Sequence, residues 1–149
     1  GATALPESWQ VVPIKSHNHF MLGHLMQWLY THVGGIRRDT GAALAYKRSV
    51  IRPEAVGDRT MARVSFESPY GQIRSEWSKG ADGSFELLAE VPANTTSTVW
   101  LPAAEDAAVF ESNLPVEKVA GIEYLGYKEG CKVYAVGSGT YRFDVRPQR

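Results

Sequence analysis

The hydrophobic pattern of the first forty residues predicts one long helix. Four aliphatic residues recur there at helical spacing: Leu22, Leu25, Leu29 and Val33. Ser16 or Asn18 can cap the start of such a helix, and the pair Gly34-Gly35 can end it. We therefore predict a helix from about residue 18 to residue 33.

This predicted helix is apolar over more than one face. On a helical wheel, with about 100° per residue, the apolar side chains leave a polar strip made mainly of His24, Gln27 and Thr31. We expect the helix to be buried on two sides. If the following domain covers only one side, the other must pack against a neighbouring molecule or a preceding domain outside this chain.

After Gly41 the pattern changes to short segments rich in β-branched and aromatic residues, separated by turn residues. The segments are 46–53, 61–68, 72–79, 84–91, 97–102, 107–112, 121–130, 131–137 and 140–145. The first ends at Pro53, as an edge or terminal strand can. "PYG" at 69–71 predicts a hairpin turn, and "GADG" at 80–83 a second turn. Six to eight strands of this kind predict an antiparallel β-sandwich.

The fold class is therefore mainly β, with an antiparallel β-sandwich preceded by one long α-helix. We assign residues 1–40 to a helical segment and residues 45–149 to the sandwich. The two segments differ in kind, and a single helix cannot form its own domain. The pattern is typical of the tail of a larger protein.

The composition narrows the classes of partner. The chain has 149 residues, 44% of them hydrophobic, which suits one main domain. Its 16 basic and 16 acidic residues balance, so no net charge attracts nucleic acid or an anionic membrane. No segment approaches the roughly 20 apolar residues of a membrane span. The single cysteine, Cys131, is interpreted as a small buried apolar residue, and the compartment is left open.

Glu7 is the only carboxylate in the first 38 residues. Its neighbours Pro6 and Trp9 provide the apolar setting that raises a carboxyl pKa toward the useful range of a general base. Composition alone equally allows an exposed glutamate near a chain end. The position becomes informative only together with the polar cluster "SHNH" at 16–19.

The four histidines lie within 16 residues: His17, His19, His24 and His32. Their spacings of five and eight fit a zinc site on one helix face poorly, and there is no HExxH motif. We interpret them as ordinary polar positions on or near a partly buried helix, or as donors to a substrate. We predict no metal and no cofactor. "GSGT" at 137–140 lies between predicted strands, so it is interpreted as a turn and not as a serine nucleophile.

The aromatic residues of the β region allow two interpretations. They could form a sugar-stacking platform, as in a carbohydrate-binding module, or face inward as core residues. Trp77 and Phe85 fit the inward pattern, which we favour.

Read in order, "ATALPESW", "SHNHFMLGHLMQWLYTHVGGIRRD", "YKRSVIRP", "ARVSFESPYGQIRSEW", "VPANTTSTVWLP" and "VGSGTYRFDV" resemble the C-terminal stretch of bacterial α-L-rhamnosidases, glycoside hydrolase family 78. The resemblance covers nearly the whole chain. It implies that residues 1–40 are the last loop and last helix of a catalytic (α/α)6 barrel, followed by a C-terminal β-sandwich.

The resemblance also implies an inverting glycoside hydrolase and assigns roles to three residues. The family's general base is a Glu in a "T-x-L-x-E-x-W" element, and Glu7 with Trp9 matches it. Trp9 and His19, the latter in an "S-x-N-H" element, are the expected substrate-binding residues. Pro6 departs from the aromatic residue common at its position. The general acid is implied to lie upstream, outside this chain.

The implied partners are a rhamnose-containing carbohydrate and the catalytic barrel of the same polypeptide. Without the acid and a closed pocket, we expect the chain alone to be inactive, because proton donation commonly contributes about 10² to 10⁴ in rate. For the sandwich itself we favour a structural role in supporting the barrel. The alternative is a non-catalytic carbohydrate-binding module, which predicts a row of exposed aromatic residues on one sheet.

Overall fold

The computed structural model describes residues 23–41 and 44–147. In this part of the chain a short helix is followed by two β-sheets. The helix has an α-helical part, α1 (His24–Trp28), and continues as a π-helical turn, Leu29–Val33. No helix in the described ranges is long and apolar enough to cross a membrane.

Sheet A contains five strands, in the spatial order β1 (Ile36–Arg38), β2 (Arg48–Ile51), β6 (Thr96–Pro102), β10 (Cys131–Val136) and β9 (Ile122–Lys128). Sheet B contains six, in the order β3 (Met61–Ser68), β4 (Gly71–Lys79), β5 (Phe85–Val91), β11 (Gly139–Arg146), β7 (Ala108–Glu111) and β8 (Leu114–Pro115). A 3-10 turn, Val116–Lys118, links β8 to β9. The mainly β, two-sheet fold confirms the predicted class.

All strand pairs in these sheets are antiparallel except β2 with β6, which run parallel. Each of the nine predicted segments contains a strand, but two short strands, β1 and β8, were not predicted. Of the positions that a strand ending at Pro53 allows, a sheet edge is not the one observed, because β1 and β6 flank β2. Pro53 lies two residues beyond Ile51, so it removes no hydrogen bond from the ladder.

The core lies between the two sheets. On β4 the inward positions Ile73, Ser75 and Trp77 are buried, which is the period of two that sequence alternation predicts. Trp77 stacks on Phe85 with ring centroids 5.8 Å apart. Tyr134 of sheet A stacks on Phe143 of sheet B at 6.1 Å, so aromatic contacts cross the sandwich. Cys131 is also buried, as predicted, and burial raises the pKa of its thiol.

The predicted turns lie where expected. Gly71 follows the β3–β4 turn with φ +116°, a conformation that favours glycine. The Ser68 hydroxyl donates a 2.7 Å hydrogen bond to the Gly71 carbonyl oxygen, which closes that turn. At the second turn, the Gly80 N–H donates to the Ser84 carbonyl oxygen at 2.9 Å.

The helix ends at Val33, immediately before the glycine pair, as predicted. Gly35 has φ +73° and lies so close to β2 that a Cβ atom would be 2.2 Å from the Arg52 carbonyl carbon. The chain can therefore turn from helix into sheet A only with glycine here. The expected helical start near residue 18 lies outside the described residues. The predicted division of the chain between residues 40 and 45 stays a prediction. The strand β1 (Ile36–Arg38) belongs to sheet A but falls within residues 1–40, the segment assigned to the helix.

Candidate functional site

The residues predicted to carry chemistry or contact substrate are Glu7, Trp9 and His19. All three lie outside the described residues, so their roles stay predictions. The described part of the chain begins at Gly23 and shows the helix that follows them, together with the sandwich on which this helix ends.

The helix has one apolar part that packs on the sandwich and one that does not. Leu29 and Val33, in its last turn, pack against the core of the sandwich. In α1, before that turn, Leu25, Met26 and Trp28 are 63%, 55% and 40% exposed. The sequence left open whether the sandwich covers both apolar sides of the helix, and it does not, because no residue of α1 is buried. Large apolar side chains exposed together on one short helix mark a contact surface.

A second set of contacts fixes the end of the helix on the sandwich. The Trp77 indole nitrogen Nε1 donates a 2.7 Å hydrogen bond to the Val33 carbonyl oxygen. A Cβ atom on Gly34 would lie 2.7 Å from Val64 Cγ2, so the helix end and β3 are in close contact. Tyr30 makes an edge contact with Phe66, with centroids 6.5 Å apart. The helix is thus held against the β3 side of the sandwich.

An ionic network lies at the same junction, on the outside of sheet A. The Arg37 guanidinium donates to the Thr31 carbonyl oxygen at 2.6 Å and also forms an ion pair with Glu54. His32 Nδ1 lies 3.2 Å from Glu54 Oε2. Partial burial acts to raise the pKa of the Glu54 carboxyl, but hydrogen bonds from Arg37 and His32 outweigh it, so this pKa lies below its ordinary value.

The two described histidines do not form a metal site. His24 is exposed at the start of α1, whereas His32 stacks on Trp28 at 5.8 Å and contacts Glu54. Within residues 23–41 and 44–147, no group of three histidine, cysteine or acidic side chains could hold a metal ion. These positions fit the interpretation of His24 and His32 as ordinary polar residues of a partly buried helix.

The exposed aromatic residues of the described strands are two tyrosines, Tyr124 and Tyr127, on the edge strand β9 of sheet A, and the larger rings on the outer faces are covered. Trp100 on sheet A is half-buried beneath Arg52, whose guanidinium lies 4.5 Å from the ring centroid. Phe110 on sheet B lies beneath Arg146 at 4.3 Å. Both rings are covered by a cation and present no open face to a sugar. Trp77 and Phe85 face inward, as favoured from the sequence.

The outer face of sheet B carries a shallow trough that sequence analysis missed. Its volume is about 480 Å³, and we call it the outer trough. Its lining residues form rows of directly paired positions on neighbouring strands. One such row runs from β3 to the β7–β8 turn and consists of Arg63, Glu76, Leu88, Arg142 and Ser112. The only signal in the sequence was charge at every second position of β4, as in "RSE" at 74–76. That signal alone is typical of any solvated sheet face.

Comparison with known families decides where the chain belongs. The profile of the bacterial α-L-rhamnosidase C-terminal domain matches residues 35–113, more than half of the chain. The chain belongs to this family. The match confirms the resemblance drawn from the sequence motifs. The matched range begins at Gly35, two residues after the end of the helix at Val33 and one residue before β1.

Individual relatives agree with this membership. The chain is 33% identical over 154 residues to an α-L-rhamnosidase of Streptomyces avermitilis, covering 97% of this chain and 14% of the relative. It is also similar to the crystal structure of Streptomyces avermitilis α-L-rhamnosidase complexed with L-rhamnose, with 35% identity and TM-score 0.75 over 92% of this chain and 12% of that one. It is similar as well to the structure of α-L-rhamnosidase from Dictyoglumus thermophilum, with 29% identity and TM-score 0.78 over 97% of this chain and 16% of that one. The chain thus spans about one seventh of the curated relative's length.

Proposed function

We propose that this chain is the C-terminal part of a glycoside hydrolase that releases terminal α-L-rhamnose from glycans or glycosides with inversion at the anomeric carbon. Membership of the α-L-rhamnosidase C-terminal domain family supports the proposal. So does the similarity to two solved α-L-rhamnosidases, which covers more than nine-tenths of the chain in each case.

The observation that carries the domain proposal is the exposed apolar surface of α1. Leu25, Met26 and Trp28 lie in α1, none of whose residues is buried. In our proposal, residues 1–40 are the last loop and last helix of a catalytic (α/α)6 barrel, and these side chains pack against the other barrel helices. The start of the family match at Gly35 supports a boundary at the end of the helix.

On this proposal the sandwich of residues 45–149 supports the barrel. The Trp77–Val33 hydrogen bond and the close approach of Gly34 to Val64 hold the last barrel helix in one position. That helix follows the loop with the proposed base, so its position fixes the end of that loop. The function of the sandwich is then to keep an active-site loop in place.

For the chemistry, we propose that Glu7 is the general base. An inverting enzyme needs two carboxyl groups about 6.5 to 9.5 Å apart, so that water fits between the base and the anomeric carbon. Glu7 would activate this water, while His19 and Trp9 would contact the rhamnose ring. The general acid would come from the preceding part of the polypeptide, so we expect residues 1–149 alone to be inactive.

The test uses the full-length polypeptide and an aryl α-L-rhamnoside. Glu7→Gln should lower kcat by about 10² to 10⁴ and change KM little, because it removes a base that acts in the transition state. Glu105→Gln, at an exposed loop position, is the matched control and should keep full activity. Undiminished hydrolysis by Glu7→Gln would show that the base is another residue.

Inversion is tested separately by proton NMR of the first product. An inverting enzyme releases β-L-rhamnose from an α-linked substrate before mutarotation, whereas a retaining enzyme releases the α-anomer. Early appearance of the α-anomer would overturn the inverting mechanism without affecting family membership.

A further inference from the structure

The outer trough differs from an ordinary solvated sheet face in how its charges are paired. Arg74 Nε donates to Glu76 Oε1 at 2.7 Å, and Arg146 Nε donates to Asp144 Oδ2 at 2.7 Å. These pairs neutralise Glu76 and Asp144. Arg63 reaches Glu76 only at 4.0 Å.

Among the described charged side chains that line the trough, this pairing leaves two without an ion pair, the basic Arg142 and the acidic Glu86. Its guanidinium has no ion pair or hydrogen bond with any residue in the described ranges. Glu111, on the neighbouring strand β7, accepts a 3.3 Å hydrogen bond from the Arg142 backbone N–H and a 2.7 Å one from the Ser112 hydroxyl. That carboxylate is therefore held by the backbone and leaves the guanidinium free for a ligand.

One aliphatic side chain and several polar ones surround Arg142. Leu88 lies beside Arg142 in the same row. Glu86 and Ser78 pair across the next row with a 3.5 Å contact, and the β7–β8 turn at Ser112 forms one end of the trough. An aliphatic side chain beside a few hydrogen-bonding groups suits the apolar face and the hydroxyls of a sugar ring.

We propose that the outer trough binds an acidic glycan, with the anionic group of one sugar unit held by the guanidinium of Arg142. A planar guanidinium binds a carboxylate or a sulfate oxygen pair through two parallel hydrogen bonds. Arg63 lies in the same row, three strand spacings or about 14 Å away, so a second acidic unit further along the chain can reach it. The sugar ring between them lies over Leu88.

The trough and the proposed catalytic loop consist of different residues, so the two proposals can fail independently. A surface for acidic polysaccharide on the sandwich would hold the enzyme on its polymer while the catalytic site acts on terminal rhamnose. Its effect would be multivalent: the second contact raises the local concentration of substrate without changing the chemical step.

The test is affinity electrophoresis of the full-length polypeptide in native gels containing polygalacturonate, dextran sulfate or neutral dextran. None of these polymers contains rhamnose, so the catalytic site is not engaged. We expect polygalacturonate, dextran sulfate or both to retard the protein, and neutral dextran to have no effect. Retardation by only one polyanion identifies the carboxylate or the sulfate as the recognised group. Equal retardation by neutral dextran, or none by either polyanion, overturns the proposal.

Variants locate the binding on the protein. Arg142→Ala should weaken binding about 10-fold or more, because hydrogen bonds between charged groups are among the stronger ones. The affinity of Arg142→Lys should lie between those of the parent and Arg142→Ala. Lysine keeps the positive charge but cannot make the two parallel hydrogen bonds of the planar guanidinium. Arg59→Ala, which removes an exposed arginine outside the trough, is the matched control. If Arg59→Ala and Arg142→Ala weaken binding equally, the attraction is a non-specific charge effect and the proposal is wrong.

Two further measurements exclude trivial results. The thermal unfolding midpoint of Arg142→Ala should equal that of the parent, because the side chain is exposed. Its kcat on an aryl α-L-rhamnoside should also be unchanged. Loss of polyanion binding together with an unchanged kcat would support the trough. A lowered kcat in Arg142→Ala would overturn the separation of trough and catalytic site.

Discussion

The indole nitrogen Nε1 of Trp77 donates a 2.7 Å hydrogen bond to the backbone carbonyl oxygen of Val33. Trp77 lies on β4 in sheet B, and Val33 is the last residue of the helix. Both residues are buried, so no solvent replaces this bond when it is lost. It ties the helix to the sandwich across 44 residues of sequence.

Trp77→Phe should therefore lower the free energy of unfolding of the chain by about 2 to 4 kcal/mol. The change leaves the Val33 carbonyl oxygen unpaired and creates a small cavity, and both effects are destabilising. The stacking on Phe85 can be kept by the phenyl ring. Urea-induced unfolding followed by circular dichroism measures the loss.

Ser75→Ala is the matched control, two residues away on the same inward face of β4. The Ser75 hydroxyl is fully buried and has no hydrogen-bond partner among the residues that the structure describes. Its removal should be neutral or slightly stabilising, because an unpaired buried hydroxyl costs free energy. A loss in Trp77→Phe no larger than in Ser75→Ala would contradict the role of the indole hydrogen bond.

The strands of the sandwich were predictable because their signals are local. Alternation places Ile73, Ser75 and Trp77 on one face of β4, and Gly71 marks the turn before it. The strands β1 and β8 have three and two residues, too few to show a period. The position of β2 inside sheet A depends on its pairing with β1 and β6, and neither pairing leaves a local mark in the sequence.

Gly35→Ala should be strongly destabilising, by about 3 kcal/mol or more. A methyl group there would lie 2.2 Å from the Arg52 carbonyl carbon and the Pro53 nitrogen, and φ is +73°. The backbone of β2 cannot move away without breaking the pairing with β1. The same urea titration measures this loss.

Gly57→Ala is the control for the left-handed backbone alone. Gly57 has φ +64° and nothing within 4 Å of the position of a Cβ atom. It should cost only about 1 to 2 kcal/mol, the strain of that conformation. Equal losses at the two glycines would mean that the contact with Arg52 contributes nothing.

The candidate site was less predictable from the sequence than the fold. Local motifs led to the predictions for Glu7 and His19, which stay predictions, and the acid partner is expected in another part of the polypeptide. The outer trough depends on the register of four strands, which brings Arg63 and Arg142 into one row although 79 residues separate their numbers. Likewise, the ion pair between Arg37 and Glu54 forms only when the segment after β2 lies beside β1.

The double substitution Leu25→Lys with Met26→Lys should be nearly neutral in the chain of residues 1–149 and damaging in the full-length polypeptide. In the chain of residues 1–149 these side chains are mostly exposed, so the double change should alter stability by less than about 0.5 kcal/mol. In the full-length polypeptide the same change should lower the unfolding temperature and the activity, because two charges would be buried against the barrel.

Leu114→Lys is the control for this prediction. Leu114 is 56% exposed on β8, at the edge of sheet B furthest from β3 and the helix. Leu114→Lys should leave stability unchanged in residues 1–149, and both stability and activity unchanged in the full-length polypeptide. Differential scanning fluorimetry of all variants makes the comparison, and an unaffected full-length double variant would show that the helix face is not a barrel contact.

Glu54→Gln should change how stability depends on pH. The pKa of the Glu54 carboxyl is lowered in the folded state, so ionised Glu54 stabilises the fold above the unfolded pKa of about 4.3. This stabilisation is lost as the pH falls through the lower, folded pKa. Because the side chain is 37% exposed, solvent limits the contribution to about 0.5 to 1 kcal/mol.

Unfolding midpoints of the parent and Glu54→Gln between pH 2.5 and pH 7 test this sign. The parent should be more stable from about pH 5 upward, and the difference should vanish at the acid end. Glu105→Gln, an exposed acid with no ion pair among the described residues, should follow the parent throughout. A parent that gains stability relative to Glu54→Gln as the pH falls would reverse the sign, and the contacts with Arg37 and His32 would then not favour the ionised carboxylate.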